Sequence, residues 1–149
     1  MTRSSLRAAV LAGTPDELEA AFYDALRAGD VERVMACWAD EDEIVCVHPG
    51  GPRLVGQEAI RAAFTSMLRH GGLGVQAQQV VRVQALASTV HSVLEHLSVM
   101  LPDGLHDAVV YATNVYHKTP RGWRMVVHHA SPGAAGADDA PAPVTHVLH

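Results

Sequence analysis

The sequence has little charge, and its positive charge is scattered. Asp, Glu, Lys and Arg make up 18% of the 149 residues, and the formal net charge is −5 with neutral histidines. Among the 11 lysines and arginines, only Lys118, Arg121 and Arg124 lie close together. A nucleic-acid-binding surface needs a concentrated basic face, so we expect no nucleic-acid partner. A low charged fraction suits a compact chain or a surface for self-association.

Cysteines and long apolar runs are also scarce. Cys37 and Cys46 are too few for a disulfide framework, and we predict that they are small buried hydrophobes. No stretch approaches the roughly 18 apolar residues of a membrane helix. Residues 3–12 resemble a signal peptide, but their apolar part is short and acidic residues follow at 16 and 17. The sequence therefore predicts a cytoplasmic protein with no membrane partner.

Patterns for binding metals and phosphates are missing. The ten histidines form no set with Cys, Asp or Glu that has the short spacing of a zinc site. His128 and His129 are adjacent on a predicted strand and point to opposite faces, so they cannot ligate one ion. The glycines of residues 71–74 lack the lysine and the preceding strand of a phosphate-binding loop. We predict neither a metal nor a cofactor.

The first half of the chain has helical patterns. Thr14 can cap a helix that Pro15 opens, and Gly29 can end it. Asp30 can cap a second helix with Trp38 on its buried side. The predicted order is a helix from Pro15 to Gly29, a helix from Asp30 to Trp38, a strand over Ile44–His48, a loop over Pro49–Pro52 and a helix over Gly56–His70.

The second half changes to a period of two, which predicts strands. Short turns join them, as in an antiparallel meander. Helices followed by such a sheet predict an α+β fold, with a pocket at the open end of the curled sheet. The predicted strands are 75–86, 89–101, 106–119 and 123–131. The predicted domain spans residues 15–132, between a flexible segment at 1–14 and an Ala/Pro-rich tail at 133–149, whose apolar end either is loose or docks on a neighbouring subunit.

Three local patterns resemble the nuclear transport factor 2-like superfamily. They are Ala28-Gly29-Asp30 after the first helix, a strand that ends before Pro49, and Leu54-Val55-Gly56 opening a helix. The superfamily includes SnoaL-like cyclases, ketosteroid isomerases and the association hub of calcium/calmodulin-dependent protein kinase. The resemblance covers residues 16–132. It implies a cone-shaped fold with three N-terminal helices packed on a curved antiparallel sheet.

The last predicted hairpin is similar to the final two strands of the kinase hub. The similar segments are Thr113–His117 and Trp123–Ser131. The hub has pocket arginines at positions that match Asn114, Ala130 and either Glu95 or His96. The resemblance therefore implies that this chain lacks a bidentate arginine clamp for a carboxylate.

Ketosteroid isomerases place catalytic groups at related positions. Their general-base aspartate falls at His48, and one oxyanion-hole group falls at Asn114. Their oxyanion-hole tyrosine falls at Phe22, and Tyr23 beside it is turned by about 100° around the helix. The resemblance therefore does not imply isomerisation of a steroid.

Two residues are candidates for catalysis. His48 has an imidazole that can take a proton at neutral pH, although a strand-end histidine can equally hydrogen-bond the loop backbone. Asn114 lies in an apolar strand, and its amide can donate to a ligand oxygen or be satisfied by backbone groups. On a strand, Tyr116 faces the same side as Asn114.

Other residues are candidates for the pocket wall. Glu95 either lies on the exposed face of the sheet or is buried with an arginine or histidine partner. Trp38 closes the core and is a candidate floor for the pocket. The predicted ligand-pocket residues are Phe22, Trp38, Glu95, Tyr116 and His128.

Two functions remain open at this point. One is a small-molecule pocket protein, including an acid/base enzyme of the isomerase, cyclase or hydratase kind with His48 and Asn114 at its centre. The other is a non-catalytic binding or assembly module that forms a stable homodimer or a larger ring through the outer face of its sheet. Fold alone does not decide between them.

Overall fold

The computed structural model describes residues 13–134. The predictions for residues 1–12 and 135–149 lie outside this range. The described elements are helices α1 (Pro15–Ala28), α2 (Val31–Ala36) and α3 (Gln57–Met67), and strands β1 (Val45–Val47), β2 (Arg53–Val55), β3 (Gly74–Gln84), β4 (Ser88–Leu101), β5 (Gly104–Thr119) and β6 (Gly122–Pro132).

The ends of the first two helices follow their capping residues. The Thr14 hydroxyl accepts a hydrogen bond from the Glu17 amide at 3.1 Å, and Gly29 ends α1 with φ = 68°. The Asp30 side chain caps α2 in the same way. These caps confirm the predicted start and end of α1 and the start of α2. The prediction that α2 reaches Trp38 is wrong, because the helix ends at Ala36 and Trp38 forms a bridge with Met125 of β6.

The segment before α3 differs from the prediction. Residues Arg53–Val55 form strand β2, antiparallel to β1, whereas the prediction has no strand between the loop over Pro49–Pro52 and the helix that begins at Gly56. The turn to α3 occurs at Gly56, whose φ of 90° favours glycine. The helix that follows is shorter at both ends than predicted.

The six strands form one sheet in the order β2-β1-β6-β5-β4-β3. The antiparallel meander from β3 to β6 confirms the period-two prediction. Strand β1 pairs parallel to β6, with Cys46 opposite His128. This pairing carries His48, just after β1, to the same region as His128.

Side-chain alternation separates two faces of the sheet. On β5, Ala112, Asn114 and Tyr116 are buried against the helices, whereas Thr113 and His117 are exposed, which confirms the predicted phase of this strand. A register shift between Val115 and Tyr116 changes the phase on β6, so Met125 rather than Val126 lies opposite Tyr116. His128 is buried and His129 is exposed, as predicted for opposite faces.

The core lies between the helices and the inner face of the sheet. Its largest fully buried apolar side chains come from both layers and include Phe22, Phe64, Leu18, Ile60 and Met125. Cys37 and Cys46 are free and buried in it, which confirms their prediction as core residues. Helices on the inner face of one six-stranded, mostly antiparallel sheet confirm the predicted α+β class.

Candidate functional site

A cluster of polar side chains is buried where α1 crosses strands β4, β5 and β6. Glu95 of β4 is only 6% exposed, and the Tyr23 hydroxyl from α1 donates to its Oε2 at 2.6 Å. Burial of a carboxyl group requires such a partner. Of the two alternatives that the sequence left open, the exposed position is wrong, and the buried one is found with a tyrosine as the partner instead of an arginine or a histidine.

Asn114 lies at the middle of this cluster and is 0% exposed. Its Nδ2 group donates to the Tyr23 hydroxyl at 3.0 Å and to Glu19 Oε2 at 3.3 Å. Its Oδ1 atom is paired with His128 Nδ1 at 2.6 Å. Both amide hydrogens and the carbonyl oxygen therefore have side-chain partners, rather than the backbone partners considered from sequence.

Glu19 of α1 joins a second group of side chains to Asn114. Its Oε2 atom accepts from the Tyr116 hydroxyl at 2.5 Å and pairs with His91 Nδ1 at 3.0 Å, in addition to Asn114. A carboxylate accepts hydrogen bonds and donates none, so His91 carries its proton on Nδ1. Within residues 13–134, His91 Nε2 is buried without a hydrogen-bond partner.

Two histidines form the side of the cluster nearest β1. The rings of His48 and His128 are 6.0 Å apart, and His48 is half-buried against Phe64. The Cys46 sulfur lies 3.6 Å from His48 Nε2. The structure thus brings both catalytic candidates into one region, since His48 adjoins His128 and His128 contacts Asn114.

Burial shifts the proton affinities in this region. Desolvation raises the pKa of Glu95 to about 7, a rise that the charge of Glu19 increases and the Tyr23 hydrogen bond opposes. Desolvation, with smaller effects of His48 and His129, lowers the pKa of His128 to about 3. It also lowers the pKa of His48 below its ordinary 6.5. Near neutral pH, both imidazoles are therefore neutral and Glu95 exchanges its proton.

The remaining pocket candidates surround this cluster. Phe22 is fully buried and its ring lies 5.4 Å from that of His128. Trp38 is buried, and within the described part of the chain its Nε1 atom has no hydrogen-bond partner. Tyr23, which is turned away from the position of the family's oxyanion-hole tyrosine at Phe22, links Glu95 to Asn114, while Phe22 packs against His128.

Sequence reasoning did not single out Glu19 or His91. A signal for Glu19 was available, because it lies four residues before Tyr23, which places both on one face of α1. His91 lies four residues before Glu95 on β4, and the period of two places both on the inner face. No comparable signal pairs these residues across the two elements.

A crevice of about 260 Å³ opens from this cluster between α1 and β3. Glu19 and Tyr23 lie in its wall, beside Asp16, which binds Arg82 at 2.8 Å. The remaining wall residues are Ala20, Arg27, Gln76 and Ala77. The cluster is thus reached from the surface on the α1 side.

Neither a metal site nor a membrane helix is found in the described residues. In residues 13–134, no group of three or more His, Cys, Asp or Glu side chains could hold a metal ion. None of the helices in that range is long and apolar enough to cross a bilayer. The chemistry that the cluster supports is proton transfer between neutral imidazoles and a carboxyl group with a pKa near neutrality.

The sequence model of the SnoaL-like domain family matches residues 16–135. The chain therefore belongs to the SnoaL-like domain family. Comparison with curated proteins gives no match.

Solved structures of the same fold come from several bacteria. One from Thiobacillus denitrificans, provisionally named a calcium/calmodulin-dependent protein kinase type II association domain, is 35% identical with a TM-score of 0.73, covering 81% of this chain and 96% of that one. One from Streptomyces avermitilis, provisionally named a dehydratase of the NTF2-like family, is 27% identical with a TM-score of 0.71, covering 80% and 99%. A Xanthomonas campestris structure, 20% identical, shares the fold.

Proposed function

We propose that this SnoaL-like domain binds a small molecule and transfers protons on it, as in isomerisation, cyclisation or dehydration. The observation that carries the proposal is the linked set of Glu95, Tyr23, Asn114 and His128 beside His48. Buried polar groups cost stability compared with a well-packed apolar core, so a site with this many is better explained by a ligand than by packing.

His48 is the proton acceptor of the proposed reaction. It lies at the end of β1, half-buried, where a ligand can reach it. Because desolvation lowers its pKa below 6.5, the neutral, basic form prevails at neutral pH.

Glu95 is the proton donor. Its pKa of about 7 leaves a substantial protonated fraction near neutrality. Burial raises the pKa of the Cys46 thiol, which contacts His48, to about 12, and Glu95 lies close enough to add to this rise. An acid and a base whose environments move their pKa values in opposite directions form a pattern typical of acid/base sites.

Asn114 is a positioning residue in this scheme. Glu19 and Tyr23 take both of its amide hydrogens, so none remains to polarise a ligand oxygen. Its effect on the reaction therefore goes through His128.

The test is exchange of α-hydrogens of small cyclic ketones, with and without a hydroxyl group, in D₂O followed by proton NMR. We expect the protein to accelerate exchange for at least one of them, and His48→Ala to reduce the acceleration on the order of 10²-fold. His117→Ala, at an exposed histidine of β5, is the matched control. No acceleration, or equal rates for both variants, would overturn the proposal.

A second function has its own support. Val81, Val83, Met100, Leu105 and Tyr111 are exposed apolar residues, and strand register and alternation place them on the outer face of the sheet. Such a face suits a homodimer, and the 35% identical structure carries the name of an association domain. Assembly and ligand binding use opposite faces of the sheet and are compatible.

A further inference from the structure

We propose that the ligand site beside His48 recognises a hydroxyl group of its ligand, because the adjacent His128 presents Nε2 as a hydrogen-bond acceptor. The ligand class rests on the proposed function, because it concerns the same site. The state of His128 follows from the described contacts alone.

The first step is the orientation of Asn114. Glu19 Oε2 accepts from Tyr116 and His91 as well as from Asn114. The Tyr23 hydroxyl gives its only hydrogen to Glu95, so it can only accept from Asn114. Two acceptors therefore flank one end of the Asn114 amide, and the NH₂ group must face them.

The second step is the tautomer of His128. With its NH₂ group toward Glu19 and Tyr23, Asn114 turns its carbonyl oxygen to His128 Nδ1 at 2.6 Å. A carbonyl oxygen accepts only, so Nδ1 carries the proton. The partner of a histidine nitrogen sets the tautomer of the whole ring.

The third step is the charge of His128. The side chain is 4% exposed, and among residues 13–134 its one hydrogen bond is to a neutral amide. The groups around it are Phe22 from α1, His48 after β1 and Asn114 from β5. None of these contacts supplies a negative charge, and a buried imidazolium without one is costly. The ring is neutral.

A neutral ring protonated at Nδ1 has a lone pair at Nε2. Within the described residues no hydrogen bond is made to this atom. A ligand hydroxyl can donate to it, whereas a ligand carbonyl or carboxylate oxygen would face a second lone pair. The site therefore prefers a ligand that donates a hydrogen bond to Nε2, as sites with fixed polar groups do.

The tautomer is tested first on the unaltered protein, by nitrogen-15 NMR of the histidine rings between pH 5 and 8. We expect His128 to give a protonated Nδ1 and an unprotonated Nε2 throughout this range. A proton on Nε2, or titration of His128 within the range, would overturn the inference irrespective of any ligand.

The ligand class is tested with cyclohexanol and cyclohexanone, which are alike in size and differ in the donor. We expect cyclohexanol to bind about tenfold more tightly and to shift the Nε2 resonance of His128. His128→Phe should abolish the preference, and His129→Phe, on the exposed face, should keep it. Equal binding, or no binding of either compound, would overturn the ligand class. The absence of His48-dependent exchange would instead overturn the proposed function. The binding test and the exchange test therefore distinguish a wrong ligand class from a wrong function.

Discussion

A buried carboxyl group with a raised pKa makes folding depend on pH, and Glu95 is such a residue. Its pKa is about 7 in the folded protein and 4.5 as the ordinary value. Between these values the folded state binds more protons than the unfolded state, so the free energy of unfolding falls as pH rises. The stabilisation is complete below pH 4.5 and is lost above about 7, a difference of up to roughly 3 kcal/mol.

Glu95→Gln should remove this dependence. A glutamine can accept from the Tyr23 hydroxyl and does not ionise, so the unfolding free energy should vary less between pH 5 and 8 than in the unaltered protein. Urea denaturation at several pH values measures it. Glu58→Gln, at an exposed position of α3, should leave the slope of unfolding free energy against pH unchanged. Equal slopes for Glu95→Gln and the unaltered protein would refute the raised pKa.

Tyr23→Phe tests the hydrogen-bond link at the centre of the site. The change leaves both Glu95 and the Asn114 amide short of a buried partner, which should destabilise the fold by about 1–3 kcal/mol. It should also raise the pKa of Glu95 further, because the Tyr23 hydrogen bond lowers it. Denaturation compared with Tyr111→Phe, which alters a half-exposed hydroxyl on the outer face, measures the effect. A similar loss of unfolding free energy in both variants would show that Tyr23 does not link Glu95 to Asn114.

Single residues were predictable where one strand fixes the face. Tyr116 follows from Asn114 by alternation, and His128 separates from His129 in the same way. Tyr23 was not predictable, because the family position matched Phe22 and the reach of a tyrosine hydroxyl across the interface to Glu95 depends on how α1 packs on β4. Contacts between distant elements leave no periodic signal in either element.

At the scale of elements, β3 contains an irregularity that its sequence pattern does not predict. The register shifts between Gln78 and Val81, and Gln79 has a φ of 49°. A non-glycine residue in this left-handed region is strained, and such bulges concentrate near functional sites. This bulge lies beside Gln76, Ala77 and Arg82, which line the crevice next to Glu19.

Gln79→Gly should therefore stabilise the protein. Glycine adopts a positive φ without strain, and the expected gain is about 1 kcal/mol after the entropy of the unfolded chain is considered. Gln78→Gly, one residue earlier at an exposed strand position, should instead destabilise by a similar amount. Thermal denaturation measures both effects. If Gln79 has the described backbone angle, the melting temperature rises in Gln79→Gly and falls in Gln78→Gly. A loss of stability in Gln79→Gly would contradict it.

Element types and the antiparallel meander from β3 to β6 were predictable from capping, periodicity and short turns, whereas the pairing of β1 with β2 and with β6 was not. Thr14, Gly29 and Asp30 mark their helix ends through local hydrogen bonds and backbone angles, which sequence encodes directly. Strand β2 has three residues, too few to show alternation. The parallel pairing of β1 with β6 joins segments about 80 residues apart, and it is this pairing that brings His48 beside His128.

At the scale of the whole molecule, the outer face of the sheet carries exposed apolar residues, whereas the polar cluster lies on its buried inner face. Met100 and Leu105 are opposite each other on β4 and β5 and are 72% and 64% exposed. Val81 and Val83 extend the same face on β3. A second copy of the chain would cover these residues by a two-fold arrangement, since one patch then meets itself.

Self-association is therefore expected to depend on this face and not on the buried site. Val83→Asp with Leu105→Asp should convert a dimer into a monomer, because two charges would be buried at each interface without partners. The matched control places aspartates at Thr65 and Ser66, which are exposed polar residues of α3 and lie away from the outer face of the sheet. Sedimentation velocity at micromolar concentration distinguishes the species. A monomer before any change would reject the assembly function, while His48-dependent exchange in that monomer would leave the acid/base function standing by itself.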